Sequence, residues 1–295
     1  MSQTIFVTGA AGTTGSELVR LLSNHDVHVR AGVHTPSKAS DWDDDVEVVA
    51  IDFDDRESLA EAFEGCSKLY LVVPFIPDPT PLVENAVWAA QQAGIEHIVR
   101  LSAIGADDPK MLASTWHHDA DAVLEASGLD YTFIRPTFFM QNLLGQADAV
   151  AEGAFYSSVD ADVPVSYLDA RDISRVAATV LTEDGHAGQA YELTGPTAMT
   201  YAEVAATLSD VLGHDVQYVQ LSDADQRDAF SGMGMPDALV DAFLELFGWA
   251  DSGDAAEIRT TVEDVTGTPA RSFETFVRDH AEAFGASDRK SPAPA

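Results

Sequence analysis

Three glycines at three-residue spacing, in Thr8-Gly9-Ala10-Ala11-Gly12-Thr13-Thr14-Gly15, carry the strongest chemistry in the chain. They stand between a short apolar run that reads as a strand and a periodic run that reads as a helix. Glycine lets the backbone turn tightly and come close to an anion. The helix start adds free N–H groups and a partial positive charge. Such a turn grips the pyrophosphate of a dinucleotide, so Gly9, Ala11, Gly12, Thr13, Thr14 and Gly15 are the first candidate cofactor contacts. The same spacing also serves a tight turn with no ligand. The Lys-Ser/Thr ending of a triphosphate loop is absent, which disfavours a nucleotide triphosphatase.

The end of the second strand separates NAD from NADP. An NAD site places Asp or Glu there to hold the ribose hydroxyls. Residues 29–38 read VRAGVHTPSK, with no acid. Arg30, His34 and Lys38 either face an extra phosphate or stay solvated surface cations; the reading leans to NADP over NAD. Further strand ends supply Asp52 and Phe53 for the adenine, Val73, Pro74 and Phe75 for a ribose, and Ser102 for the nicotinamide pocket. Open parallel sheets bind ligands at the carboxyl ends of their strands. Taken singly, each of these residues serves packing equally well.

A Tyr-x-x-x-Lys dyad would let tyrosine deliver a proton to a ketone. The lysines are Lys38, Lys68, Lys110 and Lys290, and four places before them stand His34, Glu64, Ala106 and Ala286. The dyad is absent, which excludes alcohol–ketone chemistry by that route. In the corresponding place stands Trp116-His117-His118. Imidazole titrates near neutrality, so His117 is the candidate catalytic residue, with a surface histidine at a helix start as the alternative. Phe138, Phe139 and Met140 form either a flat wall for an aromatic substrate or plain core. Phe138 is taken as a cofactor contact, and Phe139 and Asn142 as substrate contacts. Cys66 is the only cysteine, so no internal disulfide and no cysteine metal site can form. It is expected to be a small buried residue, and no metal is expected.

These side chains need a scaffold that brings strand ends together. Strand candidates are 4–8, 27–33, 46–51, 68–73, 97–102 and 131–135, alternating with helix candidates 13–24, 55–64, 79–93 and 114–127, two of them stopped by Gly94 and Gly128. That alternation predicts an α/β fold, a Rossmann-type doubly wound parallel sheet. After about residue 155 the rhythm changes. A helix over 169–181 and a strand over 189–193 precede a helix over 201–212 with Thr200 and Glu203 as a capping box. Two more helices follow, over 237–249 and 273–284. The expected organisation is an NAD(P)-binding domain over 1–155, then a smaller, mostly helical lobe over 156–287 with segments returning to the sheet. The Pro-rich end, 288–295, is expected to be disordered.

The chain has 295 residues, with 49 acidic against 16 Lys and Arg, a formal charge of -33. That field repels nucleic acid and anionic membranes. The carboxylates are dispersed and lysines few, which reads as a surface kept soluble in concentrated salt, with an ordinary acidic protein as the alternative. The beginning, MSQTIFVTGAAG, enters a strand without a basic region or cleavage signal, and no apolar run spans a membrane. A soluble, cytoplasmic chain is expected.

The segments VTGAAGTTG, VRAGVHTPSK, IDFDD, SGLDYTFIRPTFFMQN, DARDIS and GQAYELTGP together resemble the NmrA-like atypical short-chain dehydrogenases, the type 2 quinone oxidoreductases among them. The resemblance covers about residues 3–285. It implies a dinucleotide fold with a smaller C-terminal lobe, NAD(P) bound at Gly9 to Gly15, and Phe138 and Phe139 near the nicotinamide. Some members carry Arg in place of His34 and Lys in place of His117, and the chain departs from both. The expected function is NAD(P)H-dependent reduction of quinone-like or other conjugated small molecules, with hydride passing to a substrate stacked on Phe138 and Phe139. Such an acceptor takes its protons from water, which suits a site lacking the dyad. A non-catalytic NAD(P)-binding redox sensor acting through a protein partner is the alternative, and an epimerase or isomerase with bound NAD is a third. Oligomerisation is left open.

Overall fold

The computed structural model describes residues 3–35, 42 and 46–285. Lys38, the acidic run Asp43 to Asp45 and the tail 288–295 lie outside the described residues. The chain divides into two compact units. The first takes the described residues of Met1–Thr137, Ala170–Leu193 and Thr260–Pro269; the second takes those of Phe138–Asp169, Thr194–Arg259 and Ala270–Ala295.

In the first unit, strands β1 (Gln3–Val7), β2 (Val27–Val33), β3 (Glu47–Ala50), β4 (Lys68–Leu71), β5 (His97–Leu101) and β6 (Asp130–Pro136) alternate with helices α1 (Thr13–Leu22), α2 (Arg56–Phe63), α3 (Thr80–Ala93) and α4 (Leu112–Glu125). The later strand Gln189–Leu193 joins β6, giving the order Gln189–Leu193, β6, β5, β4, β1, β2, β3. Every pairing is parallel. This is the expected Rossmann-like α/β sheet. Its central strands are apolar along their length because helices cover both faces: Ile5, Phe6, Val7, Leu69, Tyr70, Leu71, Ile98 and Val99 are all buried. Chain order reverses at β1, with β2 on one side and β4 on the other. That switch point is where such sheets open a crevice, and the glycine turn lies there.

Several bounds differ from expectation, most by a residue or two. β4 ends at Leu71, which puts Val73, Pro74 and Phe75 on the loop beyond it. α4 starts at Leu112 and ends at Glu125, short of Gly128. The helix expected over 273–284 stops at Asp279; His280 leaves helical backbone at φ -113°, and its Nδ1 donates to the Phe276 carbonyl at 2.8 Å. Cys66 is buried in the core of the first unit, and burial raises its thiol pKa.

The second unit is built on short strands and helices. Strand Val165–Leu168 pairs with Phe138–Phe139 and with Ala198–Met199, and Ala154–Ser157 pairs with Gln217–Gln220. The expected capping box at Tyr201–Leu212 is present: Glu203 N–H donates to Thr200 Oγ1 at 3.2 Å, and Thr200 N–H donates to Glu203 Oε2 at 2.8 Å. Helices Asp223–Gly232, Asp237–Asp251 and Phe273–Asp279 complete it. Phe155, Tyr201, Leu208 and Phe276 lie in its core. Among the described residues no helix is long and apolar enough to cross a membrane.

Candidate functional site

The glycine turn has the shape its spacing demands. Gly9 has φ +59°, a left-handed conformation that L side chains rarely adopt. A Cβ on Gly15 would sit 2.2 Å from the Gly9 carbonyl oxygen, so only glycine lets α1 start this close to the turn. Gly12 is the N-cap of α1, and no side chain caps the helix. The first-turn N–H groups of α1 therefore have no side-chain acceptor and are available to an anion. Thr8 fastens the turn to the sheet: its hydroxyl accepts from Val72 N–H at 2.7 Å and donates to the Val72 carbonyl at 2.9 Å. Ser174 fastens the helix start by donating to the Thr14 carbonyl at 2.8 Å. Ala11, Gly12 and Thr13 are exposed and Thr14 is buried. A glycine turn leading into a helix start that no side chain caps fits a diphosphate.

The other candidates of the first unit spread along the carboxyl ends of the strands. His34 is exposed after β2. Arg30 is not available to a phosphate: it pairs with Glu47 at 2.7 Å and donates to the carbonyls of Ala62 and Glu64 at 2.9 and 2.8 Å. The surface-cation reading of Arg30 thus gives way to a structural tie between β2, β3 and the end of α2. Asp52 is exposed and accepts from Asp54 N–H at 3.0 Å, while Phe53 packs against the core. Val73 is half-buried, Pro74 is exposed, and Phe75 is 44% exposed. The Phe75 ring stacks beside His117, with centroids 6.4 Å apart and planes at 19°, and meets Trp116 edge-on at 6.2 Å. Phe75 and His117 are thus brought together.

His117 and Ser102 also meet, through a buried charge network that sequence reasoning missed. Arg100 on β5, Asp121 on α4 and Arg135 on β6 are 1%, 3% and 7% exposed. Arg100 donates to Asp121 Oδ1, Arg135 donates to Asp121 Oδ2 at 3.2 Å, and the Ser102 hydroxyl donates to Oδ2 at 2.8 Å. Arg100 also donates to His117 Nδ1 at 3.5 Å. Guanidinium has no lone pair to offer, so Nδ1 is the acceptor and the proton of the neutral ring sits on Nε2. Burial, then the Arg100 charge, pushes His117 down to about 3. The imidazole is therefore neutral at pH 7 and does not titrate near neutrality as its ordinary value suggests. Burial pushes the Asp121 carboxyl up against the pull of its partners. Asp107, at 3.8 Å from Arg135, is a distant second carboxylate.

In the second unit, Phe138, Phe139 and Asn142 come together on one cavity of about 290 Å³. Phe138 and Phe139 form a short strand, and Asn142 lies on the 3-10 turn Met140–Gln146 that follows. Aromatic rings, Phe155, Tyr167, Tyr201, Phe230 and Phe243 among them, make up much of the rest of the wall, with Gln146, Ser157 and Gln226 between them. Phe138 stacks on Trp249 with planes at 10° and centroids 6.2 Å apart. Among the described residues no Asp, Glu, Lys, Arg or His lines the cavity. Phe138, expected to touch the cofactor, lines this cavity alongside Phe139. Among the described residues no group of three or more His, Cys, Asp and Glu is placed to hold a metal ion.

Comparison with known proteins agrees with the cradle. A family model described as NAD(P)H-binding matches residues 9–184. The NAD(P)H azoreductase of Xenophilus azovorans is 41% identical over 286 residues, spanning 96% of this chain and 100% of that protein. The NADPH-dependent quinone oxidoreductase of Escherichia coli, solved with NADPH, has a TM-score of 0.83 at 30% identity, over 93% of this chain and 99% of that one. The transcriptional regulator NmrA, solved with NADP, shares the fold, with a TM-score of 0.75 at 19% identity over 94% of this chain and 95% of its own.

Proposed function

Since the chain belongs to the NAD(P)H-binding family, and within it to the NAD(P)H-dependent reductases, we propose that it reduces uncharged, conjugated acceptors of the quinone or azo kind. The observation that carries this reading is the cavity of the second unit, walled by aromatic rings and free of charged side chains. Flat apolar molecules stack on such walls, while ions lose their hydration there without compensation.

The first unit holds the coenzyme. Backbone N–H groups of Ala11, Thr13, Thr14 and Gly15 take the diphosphate, with Gly9 and Gly15 letting the turn close against the helix start. His34, Asp52 and Phe53 form the adenosine side, and Val73, Pro74, Phe75 and Ser102 the nicotinamide side. When bound, NAD(P)H supplies a hydride, which with one proton from water carries a quinone to its quinol or an azo bond to a hydrazo group. His117 keeps its proton at neutral pH and acts as a fixed hydrogen-bond donor through Nε2, because Arg100 occupies Nδ1. Phe138 and Phe139 flank the acceptor ring, and Asn142 meets its polar edge. The dispersed acidity, 49 acidic residues against 16 basic, suits a chain working in concentrated salt.

The test is oxidation of NADPH and of NADH by benzoquinones and by an azo dye, in dilute and in molar potassium chloride. Turnover with at least one coenzyme is expected. Coenzyme binding without turnover of any acceptor would overturn the reading in favour of a sensor.

A further inference from the structure

Helix Asp223–Gly232 carries the sequence DADQRDAFSG, and its one buried residue is a glutamine. An amphipathic helix normally turns an apolar residue inward. Gln226 is 6% exposed, lines the aromatic cavity, and its Oε1 has no hydrogen-bond partner among the described residues. Of the other polar groups of the wall, Tyr167 Oη is likewise buried without a partner among the described residues, while Gln146 and Ser157 are engaged. Gln146 is spent on the backbone of Tyr156 in both directions, at 2.8 and 2.9 Å, and Ser157 Oγ accepts from Val159 N–H at 3.3 Å. Buried polar atoms without partners are rare and costly, and a ligand that supplies the missing donor removes the cost.

We infer that the cavity of the second unit is built for a neutral one- or two-ring aromatic bearing an O–H or N–H donor, which Gln226 Oε1 accepts. The inference rests on the reading that this cavity holds the acceptor. It adds a direction to that reading: a quinone or azo group carries only acceptors at its reacting atoms, whereas a quinol, a hydrazo group or a ring hydroxyl carries donors. Gln226 Oε1 thus selects hydroxylated or amino-bearing acceptors, and the Tyr167 hydroxyl leaves a donor for a carbonyl or azo nitrogen on the same ring system. The volume of about 290 Å³ stands at the lower edge of ligand pockets, which suits one or two rings.

Titration calorimetry of the full chain without coenzyme, using 2-naphthol and 2-methoxynaphthalene as probes, tests this. The methyl ether keeps the ring and loses the donor. The naphthol should bind about tenfold tighter, the size of one neutral hydrogen bond to a buried group. Gln226→Leu removes the orphaned amide at similar volume, so its melting temperature should hold or rise. It should erase the preference by weakening the naphthol while leaving the ether unchanged. Equal binding of the two probes, binding of neither, or a preference that survives in Gln226→Leu would overturn the assignment. NADPH oxidation is scored separately. Selective naphthol binding without turnover leaves the assignment standing and removes the reductase reading; turnover without naphthol preference does the reverse.

Discussion

Replacing Asp121 by alanine tests whether the buried network is one unit. Among the described residues the aspartate is the sole close carboxylate for two guanidinium groups, Arg100 and Arg135, both within the interior of the first unit. Removing it leaves two buried cations, with Asp107 at 3.8 Å and mostly in solvent as the only remaining counter-charge among the described residues. Breaking a buried ion pair from one side typically costs about 3–5 kcal/mol, because the uncompensated charge stays buried. The Ser102 hydroxyl also loses its acceptor. For a unit of roughly 150–250 residues each kcal/mol lowers the melting temperature by about 2–4 °C, so a fall of roughly 6–20 °C is expected. Circular dichroism melting curves in molar salt read it directly. Asp107→Ala is the internal control, since a 3.8 Å pair whose carboxylate is mostly in solvent contributes at most about 1 kcal/mol. If the two variants melted within about 3 °C of each other, the network would not hold β5, α4 and β6 together, and the account of a neutral His117 fixed by Arg100 would go with it.

Gly15→Ala should cut NAD(P)H affinity by about 100-fold or more. Its Cβ would lie 2.2 Å from the Gly9 carbonyl oxygen, backbone against backbone, and a shift of about 1 Å at such a site is enough for that loss. Calorimetry with wild-type affinity would refute the cradle. Stability should fall as pH drops from about 6.5 toward 4. His97 is held down to about 4 by burial and then by Lys68, against the opposing pull of Asp130, and His117 is held down to about 3, so the unfolded chain takes up these protons first. His97→Gln should flatten that slope in urea titrations run at stepped pH, and an unchanged slope would remove His97 as a cause. Melting temperature should rise with potassium chloride between 0.1 M and 1 M, because the screening length shrinks from about 10 to about 3 Å around a net charge of -33. A salt-independent melting curve would undo the concentrated-salt reading.

The sheet and its phosphate turn were legible because their signals are local. β2, the strand Gln189–Leu193 and the helix Tyr201–Leu212 keep the bounds that periodicity and capping predict. Gly9, Gly12 and Gly15 act within eight residues, so spacing alone carries their geometry. Where competition between distant groups decides, spacing is silent. Arg30 reads as a free cation until Glu47 and two carbonyls of the α2 end are seen to claim it. β4 stops early at Leu71, since beyond it Val72 is tied to Thr8 across the turn rather than continuing a ladder.

The charge network left a weaker trace that a stricter reading would have followed. Arg100 stands in HIVRL and Arg135 in DYTFIRP, both strands of a sheet covered on each face. Charge has no place there without a counter-charge brought in from a neighbouring element. Asp121, on the buried side of α4 with Ala120 and Leu124, is the carboxylate that meets this need. Two arginines on adjacent strands therefore imply one buried acid on the helix that connects them, and the histidine one turn earlier on that helix falls within reach of the same guanidinium. Gln226 offers no such trace. Its helix has one large apolar residue, Phe230, which is too little periodicity to mark Gln226 as the residue that becomes buried. The chain thus hides its selectivity where local pattern is weakest and displays its coenzyme turn where local pattern is strongest.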